Sequence, residues 1–203
     1  MATKVLVLYY SMTGNVYRMA QLVAEGAREA GAEVDVKTVP ELMPKELIEG
    51  NETIKRAKEE QKGVPVAKPE ELADYDGIIV GTPTRFGNMA AQMRNFWDQT
   101  GALWVKGALV GKPAGAFCST TSMHGGQETT LVSMMLNFLH HGMIIVGVPY
   151  TVAELNNTDA GGTPYGPSHT SGHPPTRPVT EEEAAICRAM GRLVAEVAGK
   201  LAK

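Results

Sequence analysis

Five short apolar runs recur along this chain, Val5 to Tyr10, Val34 to Val39, Gly77 to Gly81, Ala114 to Ser119 and Ile144 to Val148, with helix-like stretches between them. That alternation is the pattern of βαβ units and of a parallel sheet. The runs are nearly continuous in apolar residues, as strands covered by helices on both faces require. Helices are expected to begin near Gly14, Met89, Gln127 and Thr180, the last opened by Thr180-Glu181-Glu182-Glu183 as a capping box. Ala20, Val23, Ala24 and Ala27 share one face of the first helix, and that face should pack on the sheet. The expected architecture is one α/β domain spanning 1–203, a doubly wound parallel sheet of five strands, with surface insertions near 41–71 and 156–178.

Composition removes several function classes. The longest apolar run has six residues, against roughly 18 for a membrane span, so no membrane partner is expected. Met1-Ala2-Thr3-Lys4 leads directly into that run without the layout of a secretory signal. Nineteen basic against 22 acidic residues give a net charge of -3, a poor electrostatic footprint for nucleic acid. Cys118 and Cys187 lie far apart without CxxC spacing, so neither a disulfide framework nor a zinc site is expected and a reducing, cytoplasmic setting fits. His140 and His141 are adjacent and would point in different directions on a helix, so no metal site is expected there; a packed core imidazole competes with a functional role. His169 and His173 read as loop histidines without a ligand. Met134, Met135, Leu136, Phe138 and Leu139 read as core and interface.

Two segments break the rhythm. Residues 41–71 are rich in Glu, Lys and Arg, with Lys55/Glu59 and Arg56/Glu60 at i, i+4 spacing, and read as a surface insertion with one solvated helix. Residues 156–178 hold five Pro, four Gly and six Ser or Thr, too many breakers for a core element. Only one helix follows, so this stretch reads as a long ordered or partner-facing loop.

In an open parallel sheet, ligands bind outside the carboxyl ends of the strands. After the first strand comes Ser11-Met12-Thr13-Gly14-Asn15-Val16. Two hydroxyls, a glycine that admits close approach and free N–H groups at a helix start make an anion site suited to one phosphate. The loop has neither the lysine of a triphosphate-binding loop nor G-x-G-x-x-G, which argues against triphosphate hydrolysis and against a dinucleotide's pyrophosphate. An ordinary helix cap competes with this reading. After the third strand, Gly81-Thr82-Pro83-Thr84-Arg85-Phe86-Gly87-Asn88 can expose backbone groups to a planar heterocycle, with Phe86 along one edge. After the fourth, Ser119-Thr120-Thr121-Ser122-Met123-His124-Gly125-Gly126-Gln127 is again small and polar.

The S-x-T-G-N loop resembles the flavodoxin phosphate loop. Together with G-T-P-T-R-F-G-N-M at 81–89, Gln92-Met93-Arg94, Asp98-Gln99-Thr100-Gly101, Leu103-Trp104, Gly125-Gly126-Gln127-Glu128, His140-His141-Gly142-Met143 and the G-G-T-P-Y-G run at 161–166, it is similar to the tryptophan-repressor-binding-protein family of NAD(P)H:quinone oxidoreductases. The resemblance spans nearly the whole chain. It implies a flavodoxin-like fold with strand order 2-1-3-4-5, one noncovalent FMN per subunit, NADH or NADPH as electron donor, and homotetramers (dimers of dimers) with active sites between subunits. By the same resemblance Ser11 to Val16 would hold the FMN phosphate, Pro83 to Asn88 the isoalloxazine ring, and Ser119 to Gly125 its far edge and the ribityl side. His140 would reach the flavin from the next helix, and Trp104 would line a neighbouring subunit's substrate pocket. Flavodoxins often carry a hydroxyl where this chain has Val16, which leaves that position only its backbone N–H.

The implied reaction is two-electron reduction of quinones to hydroquinones by ping-pong hydride transfer, nicotinamide and quinone stacking in turn between Phe86 and Trp104. Arg85 and His140 are the candidate cations near the flavin; a surface arginine touching flavin through its backbone alone competes for Arg85. An electron-carrier flavodoxin would show a more acidic surface than -3 over 203 residues. A transcriptional co-regulator would show a helix-turn-helix or a basic stripe.

Overall fold

The structure, a computed structural model, describes residues 2–202. In chain order its elements are β1 (Lys4–Tyr9), α1 (Asn15–Glu29), β2 (Glu33–Thr38), α2 (Lys45–Glu49), α3 (Glu52–Glu60), a 3-10 turn (Pro69–Asp74), β3 (Gly77–Arg85), β4 (Asn88–Met89), α4 (Ala91–Asp98), α5 (Gly101–Val105), β5 (Pro113–Thr120), α6 (Gln127–His140), β6 (Ile144–Ile145), α7 (Ala153–Asn157), β7 (Ser168–Thr170) and α8 (Glu181–Leu201). The main sheet is parallel in the order β2-β1-β3-β5-β6. Numbered over its five principal strands, this is the expected 2-1-3-4-5 order of a flavodoxin-like fold.

β1 shows why the central strands read as continuous apolar runs. Val5, Val7 and Tyr9 pack with α1 and α8 residues such as Val16, Met19 and Ile186, whereas Leu6 and Leu8 face the opposite layer with Met93, Phe96 and Phe138. Each such side chain contributes about 1.5–3 kcal/mol by leaving water. The first helix buries Ala20, Val23, Ala24 and Ala27, the face expected from their spacing. α1 and α8 cross at backbone contact: a Cβ added to Gly191 would lie 1.9 Å from the Val23 carbonyl oxygen, and one on Gly26 2.0 Å from that of Arg188.

Four expectations need correction. β2 is not covered on both faces; it is the sheet's edge, and every residue of Glu-Val-Asp-Val-Lys-Thr is exposed or half-buried. The fifth strand does not run to Val148. β6 pairs only Pro113 and Ala114 of β5, and the rest of that edge is completed by β7, which pairs Cys118 to Thr120. The 156–178 stretch therefore contains a fully buried strand, Ser168–Thr170, whose flanking prolines and glycines all fall outside it. The 41–71 insertion holds two helices and a 3-10 turn, not one solvated helix. Arg56 pairs with Glu60 as expected, but Lys55 pairs with Glu52 and Glu59 with Lys62, and the inner face of α3 buries Ile54 and Ala57. The Thr180 box forms: the Thr180 hydroxyl accepts from the Glu183 N–H, and the Glu183 carboxylate accepts from the Thr180 N–H. Among the described residues no helix is long and apolar enough to cross a membrane.

Candidate functional site

The loop after β1 turns into α1 at Gly14, which is the helix cap, with φ 91° and no side-chain cap hydrogen bond. Arg18 is the first residue whose N–H is taken, by the Gly14 carbonyl; the earlier first-turn N–H groups point outward, as helix starts leave them. The Ser11 hydroxyl is buried and has no partner among the described residues. A buried orphan hydroxyl is costly unless something completes it, and beside an uncapped helix start the fitting guest is an anion. Val16 is buried in the core under α1 and offers the loop only backbone. Asn15 is locked by its own side chain, which donates to Thr13 Oγ1 (3.4 Å) and the Pro175 carbonyl (3.2 Å) and accepts from Arg18 Nη1 (3.3 Å).

A cavity of about 300 Å³ opens beside this loop. It brings together Met12, Thr13, Pro83, Thr84, Arg85, Ser119, Thr120 and Thr121 from the three loops singled out in the sequence. Thr84 is fixed by hydrogen bonds from Thr130 Oγ1 (2.8 Å) and the Gly87 N–H (3.3 Å). The Arg85 side chain does not swing into solvent: it curls over the cavity, donating to the Thr84 carbonyl (2.8 Å) and Met12 Sδ (3.2 Å). Past it the chain turns at Phe86, which is 103% exposed with φ 52°, a strained conformation for an aromatic residue. Asn88 donates to the Phe86 carbonyl (3.3 Å). On the third loop Ser119 and Thr120 are buried, and Thr120 Oγ1 donates to the Ser122 carbonyl (2.7 Å), to which the Gly125 N–H also donates (3.0 Å). Ser122, Met123 and His124 stand exposed at the rim.

Two walls of the cavity escaped the sequence reading. Asn51 and Thr53 come from the start of α3, and Ser171, His173 and Pro175 from the long loop. α3 also clamps the loop after β1 from behind: Lys58 Nζ (3.0 Å) and Gln61 Nε2 (3.4 Å) both donate to the Ser11 carbonyl. Lys58 sits 4.6 Å from the Tyr10 ring centroid and pairs with Glu41, which also accepts from the Tyr10 hydroxyl (3.1 Å) and Gln92 (2.8 Å). Burial pushes the Glu41 pKa up, but the hydrogen bonds from Lys58, the Met43 N–H and Gln92 outweigh it and hold the carboxyl below its usual range. Burial first, then Glu41, pushes the Tyr10 phenol up, so it stays a donor. The only forward signal for this clamp was the charge density of the insertion, which reads equally as a solvated face.

His169 is not a loop histidine. It lies on β7, fully buried, with Nδ1 2.7 Å from Glu183 Oε2. Glu183, also fully buried, accepts further bonds from the N–H groups of Gly161 (2.9 Å), Thr170 (3.2 Å) and Thr180 (2.9 Å). One carboxylate thus ties the long loop to α8 and sets Ser171 to Pro175 along the cavity. His173 is exposed, and lines it.

His140 does not join these loops within the chain. It ends α6, 14 residues long and so about 20 Å from the helix start, and lines a separate groove of about 430 Å³ with Trp104, Arg94 and Leu136. Trp104 is 57% exposed there. His141 is the packed imidazole, its Nε2 2.9 Å from Thr100 Oγ1; that hydroxyl donates to the Trp97 carbonyl, so Nε2–H is the donor. Burial, then the neighbouring His140, lowers its pKa. Among the described residues no group of three His, Cys, Asp or Glu could hold a metal.

Residues 3–157 match the family model described as NADPH-dependent FMN reductase. The chain is 54% identical over 201 residues, 98% of each chain, to a protein of Bradyrhizobium sp. (strain ORS 278) named NAD(P)H dehydrogenase (quinone). It is 52% identical over 203 residues to one of the same name from Chromohalobacter salexigens, covering 98% of this chain and 99% of that one. Among solved structures it shares its fold with the flavodoxin, WrbA-like protein from Agrobacterium tumefaciens, with a TM-score of 0.69 and 24% identity over 98% of this chain and 99% of that one.

Proposed function

The chain belongs to the NADPH-dependent FMN reductase family, and from that premise we propose that it is an NAD(P)H:quinone oxidoreductase that works through bound FMN. One observation carries the cofactor reading: the orphaned, buried Ser11 hydroxyl beside the uncapped start of α1 at Gly14, opening into a cavity built by three strand-end loops. In that site Ser11 to Val16 hold the phosphate, Pro83 to Asn88 the isoalloxazine ring, and Ser119 to Gly125 its far edge and the ribityl chain. When bound, FMN supplies the ability to take a hydride from a nicotinamide and pass two electrons to a quinone. The overall balance is NAD(P)H, a proton and quinone giving NAD(P)+ and hydroquinone.

The residues do the positioning. Lys58 and Gln61 fix the Ser11 peptide, Thr84 is held by Thr130, and the Arg85 guanidinium is placed over the cavity, where a cation favours negative charge on a reduced ring. Nicotinamide and quinone are both flat and both must meet the ring, so one pocket takes them in turn. Initial-rate plots at several quinone concentrations are expected to give parallel lines; intersecting lines overturn the shared pocket. A pure electron carrier would show no steady-state NAD(P)H oxidation with quinone.

The pocket is completed by assembly. α6 exposes Val132, Leu136 and Leu139 on one face, and Trp104, Val105 and Val110 are exposed with them, an apolar surface of the kind that marks a protein interface. Trp104 and His140 share that side of the molecule, while Phe86 stands bare next to Gly87, which lies against the start of α6. A homotetramer, a dimer of dimers, lets Trp104 and His140 of one subunit meet Phe86 and the flavin of its neighbour. Sedimentation is expected to show a tetramer that FMN favours by mass action. Leu136→Glu with Leu139→Glu should dissociate it and lower kcat/KM for quinone at least tenfold while each subunit retains FMN. A strictly monomeric, fully active wild-type holoenzyme overturns the assembly.

A further inference from the structure

Besides the three strand-end loops, the cofactor cavity has a wall made by the stretch that follows β7. Ser171 donates twice to the Thr120 carbonyl, through its N–H (2.8 Å) and its hydroxyl (3.0 Å), and the Gly172 N–H donates to the Thr121 carbonyl (3.0 Å). Further on, the Pro175 carbonyl accepts from Asn15 Nδ2 (3.2 Å) at the start of α1. The stretch is therefore a strap from the third loop to the first, tied at both ends. His173 stands between the ties, exposed and lining the cavity. Among the described residues its imidazole has no hydrogen-bond or ion-pair partner, unlike those of His141 and His169.

The charge around the cavity is of one sign. Arg85 and His173 are the basic residues that line it, and no carboxylate does. Ser11 to Val16 contain no lysine or arginine, so a side-chain cation for a phosphate there must come from another segment. The bases nearest that loop are engaged elsewhere: Arg18 pairs with Glu60 (3.2 Å) and donates to Asn15 Oδ1 (3.3 Å), and Lys58 pairs with Glu41 and donates to the Ser11 carbonyl (3.0 Å). Arg85 is turned to the Thr84 carbonyl (2.8 Å) and Met12 Sδ (3.2 Å). We propose that His173 is a phosphate-binding residue of the FMN site, donating a ring N–H to the phosphate held by Ser11 to Val16. The inference rests on that phosphate reading. A helix start supplies backbone N–H groups and a partial positive charge, while a phosphate monoester presents three strong acceptor oxygens. Imidazole carries at least one N–H donor in either protonation state, and a bond from it to an ionised oxygen is charge-assisted. The ties at Thr120, Thr121 and Asn15 already hold the backbone on both sides of His173, so little chain freedom is lost when the contact forms.

Calorimetric titration of the apoprotein with FMN and with riboflavin, which differs from FMN only in lacking the phosphate, tests this. His173→Ala should weaken FMN about tenfold and riboflavin less than about twofold. His173→Arg, which restores a donor and a positive charge, should return FMN affinity to within about threefold of wild type. An FMN affinity unchanged in His173→Ala overturns the proposal. So does an equal loss for both flavins, which would mean that His173 only orders the strap; both results leave the phosphate reading standing. A wild type that binds riboflavin as tightly as FMN overturns the phosphate reading itself.

Discussion

Gly14→Val is expected to raise the FMN dissociation constant well over tenfold. Gly14 holds φ 91° at the helix cap, where a β-branched residue is strained by about 1–3 kcal/mol. A Cβ there would also stand 3.3 Å from Arg18 Nη2 and 3.6 Å from Glu60 Oε2, so the added side chain would press on that ion pair. Relief of strain by moving the loop would misdirect the first N–H groups of α1, and each charge-assisted hydrogen bond lost is worth about 1.5–3 kcal/mol, against 1.4 kcal/mol for a factor of ten. Ser11→Ala separates binding from folding. Its hydroxyl has no partner among the described residues, so removal should leave the apoprotein's melting temperature unchanged or slightly raised while weakening FMN about tenfold. Titration calorimetry on both variants, with melting curves of the apoproteins, checks the pair. Unchanged affinity in Gly14→Val removes the phosphate assignment.

What was legible in the sequence was whatever a local pattern determines. The strands at β1, β3 and β5 carry continuous apolar runs because both faces are covered, and Gly14, Pro83 and Ser119 fall at strand ends because parallel strands deliver their following loops to one edge. What was not legible depends on contacts between distant segments. Lys58 reads as one charge in a solvated helix, and only the folded insertion reveals it 3.0 Å from a carbonyl 47 residues earlier. β7 has three residues, Ser-His-Thr, between breakers; it is a strand because β5 offers an unpaired edge beyond β6, not because its own composition asks for one. His140 and Trp104 were linked by a resemblance to one flavin pocket. The chain places them together but away from its own loops, a separation that sequence adjacency to any motif cannot report.

The largest stability effect is expected at Glu183, where one buried carboxylate serves the α8 cap, the long loop and β7 together. Glu183→Ala leaves the buried His169 imidazole and the N–H groups of Gly161, Thr170 and Thr180 without their acceptor. Removing one partner of a buried pair costs about 3–5 kcal/mol, and at about 2–4 °C per kcal/mol for a chain of this size the melting temperature should fall by roughly 6–20 °C. The pH dependence follows from the same contacts. Burial pushes the Glu183 pKa up, but the bonds from His169, Thr180 and Gly161 prevail and hold it below the usual carboxylate range. A depressed folded pKa means the stabilisation is present above the unfolded value of about 4.3 and is lost as pH falls through the folded value. Acid unfolding of the wild type should therefore steepen below about pH 4, and Glu183→Ala should flatten that limb while lowering stability at neutral pH. Hydrogen exchange localises the effect: protection should be lost first at Gly161 and Thr170, the amides that donate to Glu183, while amides of β1 and β3 stay protected. A melting temperature within 2 °C of wild type would show that His169 and the three amides find other acceptors, and the long loop would then owe its place beside the cavity to the β5–β7 pairing alone.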